Sequence, residues 1–233
     1  MNTHFDLGPI LSGDYGKQIL HGIEMTLQLT VFTWLLALAI ALALVTIRLS
    51  GSVIAGRLVA AYVSYHRNVP TLVQLMLWYF AIPTVLPPEL QSWLADFGAE
   101  FIFAMIALGL CEAAFFSEDL RSGLRAIPTG QMEASRALGL GYIRSIVYVI
   151  MPQAIRNCLP SLINHTVTLF KNTSLAMAIG LAELTYATRE VENYTYRTFE
   201  SYLVATVVYL FFSLTLMGAG ALIARHFSAE NAR

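Results

Sequence analysis

Two long stretches without a charged residue constrain the fold of this chain more than any other feature. They are Met25–Ile47 and Tyr202–Ala224. A helix needs about 20 consecutive apolar residues to cross the hydrocarbon core of a bilayer. Charged residues make up only 12% of the 233 residues, against about 25% in soluble domains. Each stretch is therefore predicted to cross a membrane as a helix.

Three further stretches are apolar enough to be spans, although two of them contain ionisable residues. They are Val69–Leu86, Phe101–Ser117 and Leu159–Leu181. The first of them is expected to begin earlier, inside Leu58–Tyr65. The chain is therefore predicted to be an all-α membrane protein with five transmembrane helices. Its transmembrane domain would cover residues 25–224, between an amino-terminal segment 1–24 and a tail 225–233.

The basic residues are distributed unequally between the two sets of connecting segments. Ten lie between spans one and two, between spans three and four, or after span five, and only three lie on the other side. Short loops rich in Lys and Arg stay in the cytoplasm. The amino terminus is therefore predicted to be periplasmic, and the loop between spans three and four to be cytoplasmic.

Several functional classes are disfavoured by the sequence. The net charge of −1 does not suit a nucleic-acid partner, which needs clustered basic residues. Cys111 and Cys158 match no metal-ligand spacing, and small buried thiols are expected instead of a metal site. No G-x-x-x-x-G-K-[ST] phosphate loop occurs. No catalytic residue and no bound cofactor are therefore predicted for this chain.

The loop between spans three and four, about 121–156, is long for a compact protein, which favours a functional role. Thr129 is predicted to cap a short helix over Gln131–Leu138. Gly139 would end that helix, because glycine readily takes the left-handed conformation.

A second short helix is expected over Tyr142–Ile150, and Pro152 is expected to stop it. The pattern predicts a helix–glycine–helix elbow in the cytoplasm.

Five segments of the chain resemble the polar amino acid uptake branch of bacterial ABC importer permeases. The elbow contains EASRALGL, which resembles the coupling loop of such permeases, and IMPQAIRNCLP follows it. The other segments are RNVPTLVQLMLWYFAIP, AIPTGQ and LFKNTSLAMAIGLAEL. Three segments look most like those of glutamate/aspartate permeases. They are the sequence of Arg67–Pro70, the segment IPTVLPPEL at the end of span two, and the run Lys171–Ser174.

The resemblance implies a type I (MetI-like) ABC importer permease in the bacterial inner membrane, surrounded by membrane lipid. It implies a second permease subunit, which is either a paralogue or a copy. It also implies a dimer of ABC ATPase subunits that binds ATP and Mg, and a periplasmic amino acid binding protein. The substrate would be glutamate or aspartate.

The resemblance also assigns the contact with the ATPase to residues of the elbow. They are Glu133, Ala134, Ser135, Arg136 and Gly139. Ser135 replaces the second alanine of the family pattern, which exchanges one small residue for another. We expect Glu133 to hold the elbow through a hydrogen bond or ion pair, and Ala134 and Gly139 to permit close packing.

Ionisable side chains inside spans are costly, and for that reason they are candidates for function. A polar stripe along the substrate pathway is therefore predicted, with these members: Glu112, His165, Lys171, Asn172, Thr173 and Ser174. In this reading Lys171 or His165 attracts substrate carboxylates. The alternative is that Lys171 pairs with Glu112 or caps carbonyl groups at a helix break, which would be a structural role.

Two other functions stay open at this point. The same mechanism would serve glutamine, histidine or a basic amino acid. A secondary transporter driven by an ion gradient would use Glu112, His165 and Lys171 as ion-binding groups.

Overall fold

The computed structural model describes the backbone of residues 5–96 and 98–229, and side chains as far as residue 226. The regular structure of these residues is helical. The α-helices are α1 (Gly8–Leu11), α2 (Gly13–Leu49), α3 (Val53–Asn68), α4 (Thr71–Met76), α5 (Pro88–Asp96), α6 (Ala99–Arg125), α7 (Thr129–Ala137), α8 (Tyr142–Ser145), α9 (Met151–Asn172), α10 (Leu184–Thr195) and α11 (Thr198–Ala229).

Wider and tighter helical turns extend three of these helices. A π turn and a 3₁₀ turn continue α4, over Leu77–Ala81 and Ile82–Val85. A second π turn, Ile146–Ile150, joins α8 to α9, and a 3₁₀ segment, Thr173–Ile179, follows α9.

Within the described residues, four helical stretches are long and apolar enough to cross a membrane. They are Gly13–Leu49, Ala99–Arg125, Tyr142–Ile179 and Thr198–His226. The predicted second span coincides with a shorter apolar stretch, Thr71–Val85. Its 15 residues reach about 22 Å at 1.5 Å per residue, less than the roughly 30 Å hydrocarbon core. The five-helix count and the periplasmic amino terminus therefore stay predictions.

The helices extend beyond the predicted spans. Most of the predicted amino-terminal segment is helical, because α2 begins at Gly13; residues 1–4 lie outside the described residues. Helix α6 continues to Arg125 and α9 begins at Met151, so both ends of the predicted 121–156 loop are helical. The predicted tail is helical up to Ala229, and residues 230–233 are again outside the described part.

The prediction that Pro152 stops the second elbow helix is wrong. The helix passes through Pro152 and continues into α9. Proline lacks the N–H for the i−4 bond, and its ring collides with the i−4 carbonyl. The preceding π turn is wider, and in it the Met151 N–H bonds the Ile146 carbonyl. We attribute the continuity of the helix to this local widening.

The described residues divide into two compact units. The first unit contains residues within 5–36, 69–110 and 168–214. The second contains residues within 37–68, 111–167 and 215–229. Helices α2, α6, α9 and α11 each contribute residues to both units.

The first unit has a main core of leucine side chains with little or no exposed surface. Its members include Leu29, Leu75, Leu108 and Leu169, and the half-buried Trp78 packs against them. A separate core joins α1 and α2 to α10 and α11, through Ile10, Ile19, Leu184, Val191 and Val204. Each fully buried Leu or Ile contributes roughly 1.5–3 kcal/mol where it is removed from water.

A buried carboxylate fixes the start of α10 in the first unit. Glu183 is fully buried and occupies the N-cap position. It accepts backbone hydrogen bonds from Thr185 and Tyr186, both at 2.9 Å, and the Tyr209 hydroxyl donates to it at 2.8 Å. Helices α10 and α11 are thereby joined through one side chain.

Close helix packing in the second unit depends on a glycine. A Cβ atom at Gly123 would lie 2.6 Å from the Ala154 carbonyl oxygen and 2.8 Å from the Cys158 Cβ atom. Asn157 also donates its side-chain amide to the Gly123 carbonyl at 3.3 Å. Helices α6 and α9 therefore touch backbone to backbone at this point. Cys158 and Cys111 are both buried free thiols, which confirms the prediction.

Burial raises the pKa of Glu183 above its ordinary value of 4.5, despite hydrogen bonds that lower it. The folded state then holds the proton more tightly than the unfolded state. The free energy of unfolding must therefore fall as the pH rises from about 4.5 toward the raised pKa. We expect the wild type to be less stable at pH 8 than at pH 5, and Glu183→Gln to show a smaller difference between the two. Thermal unfolding in detergent at pH 5 and pH 8 measures both differences.

Glu89→Gln, at an exposed position of α5, is the control and should keep the wild-type pH dependence. Equal pH dependence in the wild type and Glu183→Gln would contradict the prediction.

Candidate functional site

The elbow between α7 and α8 is closed by a left-handed glycine. Gly139 has φ of 84°, a conformation that disfavours every residue with a Cβ atom. Its N–H bonds the Arg136 carbonyl at 3.0 Å, and the Leu140 N–H bonds the Ser135 carbonyl at 3.2 Å. These two bonds form a Schellman motif, which satisfies carbonyl groups at the helix end. The predicted helix–glycine–helix elbow is confirmed.

The start of α7 differs from the prediction. Thr129 is the first helical residue and makes no capping bond; Pro128 holds the N-cap position. Pro128 has φ of −59° and ψ of 139°, so its ring fixes an extended entry to the helix. The Pro128 carbonyl accepts the Gln131 N–H at 3.0 Å. The predicted Thr129 cap is therefore wrong.

The predicted coupling residues face different surroundings. Glu133, Ala134 and Arg136 are exposed, whereas Ser135 is buried and donates to the Met132 carbonyl at 2.8 Å. Among the described residues, Glu133 takes part in no hydrogen bond or ion pair. Its expected hydrogen bond or ion pair is therefore not made to any described residue.

The surroundings of Gly139 are open. A Cβ atom built at Gly139 would meet no atom of the described residues within 4 Å. The left-handed backbone requires the glycine, and the expectation that Ala134 and Gly139 permit close packing stays a prediction.

The elbow exposes several large apolar side chains. The exposed fractions are 85% for Leu138, 74% for Ile143, 71% for Tyr148 and 60% for Tyr142. Patches of this kind mark protein–protein or membrane contacts. We name these four residues the elbow patch.

The second unit contains a buried acidic cluster that includes two of the predicted pathway residues. Glu112 and Asp119 are buried on α6. On α9, the Ser161 hydroxyl donates to Asp119 Oδ1 at 2.6 Å. His165 lies between the acids, with Nδ1 4.0 Å from Glu112 Oε1 and Nε2 3.7 Å from Asp119 Oδ2. We call these four residues the acidic cluster.

Two carboxylate oxygens of the acidic cluster lack a hydrogen-bond partner. They are Glu112 Oε1 and Asp119 Oδ2, and both are buried. The Phe115 ring stacks on His165, with the ring centres 4.9 Å apart, and the Arg67 guanidinium lies 5.3 Å from the Phe115 centroid. The cluster can accept hydrogen bonds from a cationic or amide group.

Sequence reasoning did not identify Asp119 and Ser161. Asp119 lies beyond the predicted end of the third span, yet it is seven residues from Glu112 and therefore on the same helix face. Ser161 and His165 are four residues apart on α9. The spacings of seven and four residues, which place Asp119 on the face of Glu112 and Ser161 on the face of His165, could have identified both residues from the sequence.

The other predicted pathway residues lie at the end of α9, in the first unit. Lys171 is exposed and Asn172 is half-buried. Thr173 donates to the Phe170 carbonyl at 2.6 Å, and Ser174 donates to the Lys171 carbonyl at 2.7 Å. Both hydroxyl groups therefore support the transition from α9 to the 3₁₀ segment. Glu112 and His165 belong to the second unit, so the two units divide the predicted stripe.

Comparison with known proteins places the chain in a family. Residues 36–229 match the family described as "Binding-protein-dependent transport system inner membrane component". The chain is 29% identical to the glutamate/aspartate import permease protein GltJ of Escherichia coli K12, over 93% of this chain and 90% of that protein. It is also 29% identical to the arginine transport system permease protein ArtQ of Bacillus subtilis, over 91% of this chain and 94% of that protein.

A solved structure agrees with the fold. It is described as the crystal structure of an amino acid ABC transporter with histidines. The similarity has a TM-score of 0.81 at 29% identity, and it covers 96% of this chain and all of that chain.

The fold and these matches define a class, the membrane-embedded translocation subunits of ABC transporters. The chain belongs to the family of binding-protein-dependent transport system inner membrane components, since the match covers most of its length. It is a multi-pass protein of the inner membrane and a permease of an amino acid ABC importer. Members of this family are the translocation subunits of such transporters, and a different subunit hydrolyses ATP. Among the described residues, no group of three or more His, Cys, Asp or Glu is arranged to hold a metal ion.

The elbow supplies a test of its own geometry. Gly139→Ala should strain the left-handed position by about 1–2 kcal/mol, which corresponds to roughly tenfold faster hydrogen exchange of the elbow amides. Gly141→Ala is the matched control, because Gly141 has φ of −65° and also has open space around it. Hydrogen exchange with mass spectrometry of both variants makes the comparison. Equal exchange in the two variants would refute the structural role of Gly139.

Proposed function

We propose that the elbow patch is the surface on which an ABC ATPase subunit binds. The observation that carries the proposal is an ordered elbow whose large apolar side chains are exposed. Burial of such side chains against a partner is favourable by roughly 1.5–3 kcal/mol each. Glu133 and Arg136 flank the patch as exposed charges for partner recognition. The ATPase dimer would bind the ATP and Mg that this chain has no motif to bind.

In this proposal the complete importer contains two permease subunits with five spans each and a periplasmic amino terminus. A periplasmic binding protein delivers the amino acid from the opposite side. ATP-driven closure of the ATPase dimer displaces the two elbows, and the attached helices alternate between outward- and inward-open states. The continuous helix from Tyr142 to Ile179 supports this mechanism, because the elbow extends directly into a span.

The elbow patch provides the second test. Leu138→Asp places a charge at the most exposed residue of the elbow patch, since the exposed fraction of Leu138 is 85%. Loss of one buried leucine contact predicts at least tenfold weaker binding of the ATPase. Co-purification of the native complex, with mass spectrometry of the recovered subunits, measures the effect and names the partners.

Leu90→Asp is the control, an equal change at an exposed leucine of α5 on the predicted periplasmic side. It should leave recovery of the ATPase unchanged. Full recovery with Leu138→Asp would contradict the proposed binding surface.

We infer that the substrate is glutamate or aspartate. The similarity to a glutamate/aspartate import permease over nearly the whole chain supports this inference. The exposed Lys171 at the end of α9 supplies a positive charge that would attract a substrate carboxylate.

A basic amino acid is the second candidate, and the acidic cluster favours it. Glu112 and Asp119 each have one buried carboxylate oxygen without a hydrogen bond, and a guanidinium or ammonium group would suit these oxygens. The similar arginine transport permease of Bacillus subtilis agrees with this candidate.

Uptake by the reconstituted importer separates the two candidates. If glutamate is the substrate, Lys171→Met should reduce labelled glutamate uptake about tenfold and Glu112→Gln should change it little. If a basic amino acid is the substrate, arginine should be taken up, and Glu112→Gln should cause the larger loss. Uptake that continues without ATP but stops when the proton gradient is removed would support a secondary transporter instead.

A further inference from the structure

We propose that the second unit contains a binding site for one anionic phospholipid, in which arginine side chains hold the phosphate and an apolar slot beside the elbow holds an acyl chain. The lining of the site includes no residue of the acidic cluster. It shares one residue, Tyr142, with the elbow patch.

The apolar slot has a volume of about 310 Å³. Helix α2 lines one side with Leu42 and Val45, and α6 contributes Leu124. The elbow and α9 complete the lining with Ile146 and Ile155. The exposed fractions of Leu42 (51%) and Ile155 (42%) leave the slot accessible to a chain from outside. Its lining offers almost no polar atom to a hydrophilic ligand.

A basic pocket of about 510 Å³ adjoins the slot. Arg48, Arg121 and Arg125 line it, while Gly56 and Ala60 of α3 leave room for a headgroup. Glu118 binds both Arg48 and Arg121 and orients their guanidinium groups.

The three arginines and the one glutamate leave two positive charges at the pocket. Arg125 is exposed, and it takes part in none of the ion pairs found among the described residues.

The two cavities share lining residues, so one molecule can occupy both. Val45 and Leu124 line the slot and the basic pocket, as does Leu49. A ligand that fills both must be an amphiphile with a negative headgroup. Helices α2 and α6 are membrane-spanning stretches, so the available amphiphile is a phospholipid. Basic pockets between transmembrane helices bind anionic headgroups in this way.

The test uses the complete transporter, purified in detergent, and native mass spectrometry to count bound lipid. The probe is phosphatidylglycerol, compared with phosphatidylcholine of the same acyl chains. We expect phosphatidylglycerol to bind in preference, and Arg125→Gln to weaken it about fivefold. Thr46→Trp should also weaken it, because Thr46 is exposed and lines the slot that the indole would fill.

Two matched controls accompany these variants. Arg225→Gln removes an equal charge at an exposed arginine of α11 that lines neither cavity. Ile47→Trp adds an indole at an exposed residue of α2 that does not line the slot. Both should bind phosphatidylglycerol as the wild type does. Thermal unfolding of all four variants establishes that they are folded.

Several outcomes would overturn the proposal. Equal binding of the two lipids would exclude recognition of the headgroup charge. Displacement by inorganic phosphate or glycerophosphoglycerol alone would make the pocket a simple anion site. Binding to the isolated permease but not to the complete transporter would show that a partner subunit covers the slot. Equal effects of Arg125→Gln and Arg225→Gln would mean that general surface charge, and no defined site, attracts the lipid.

Discussion

The hydrocarbon core of a membrane offers no hydrogen-bond partner to a peptide group, and most of this structure follows from that constraint. Each backbone N–H and C=O in the long stretches must be satisfied within its own helix. This accounts for the length of α2, α6 and α11. In the part of the chain that the structure describes, non-helical backbone is confined to short connections such as the Gly139 turn.

The chain treats its buried carboxylates in two different ways. Glu183 receives hydrogen bonds from two backbone groups and a tyrosine, and it connects elements of the first unit. Glu112 and Asp119 each keep one buried oxygen without a hydrogen bond, with His165 nearby. A fully satisfied buried network makes a structure rigid, whereas an incomplete one is costly to maintain. The two groups of buried carboxylates therefore differ in how completely their hydrogen bonds are satisfied.

Much of this organisation is readable in the sequence, but not all of it. Uncharged runs identify spans because lipid excludes charge, and Gly139 identifies the elbow because few other residues tolerate its backbone angles. The uncharged runs do not show where each helix ends, because residues such as Asp14 and Arg121 continue a helix beyond the predicted span. The Ser161–Asp119 bond joins positions 42 residues apart, and its register depends on how α6 packs against α9. No local pattern encodes that packing.

The contact at Gly123 has a mechanical consequence. The elbow connects the end of α6 to the start of α9, and the backbones of these two helices are in contact at Gly123. Both attachments of the elbow are therefore connected at this point, directly and without an intervening side chain on α6. Any larger residue at position 123 would push α6 and α9 apart and break this contact, although the sequence of the elbow would be unchanged.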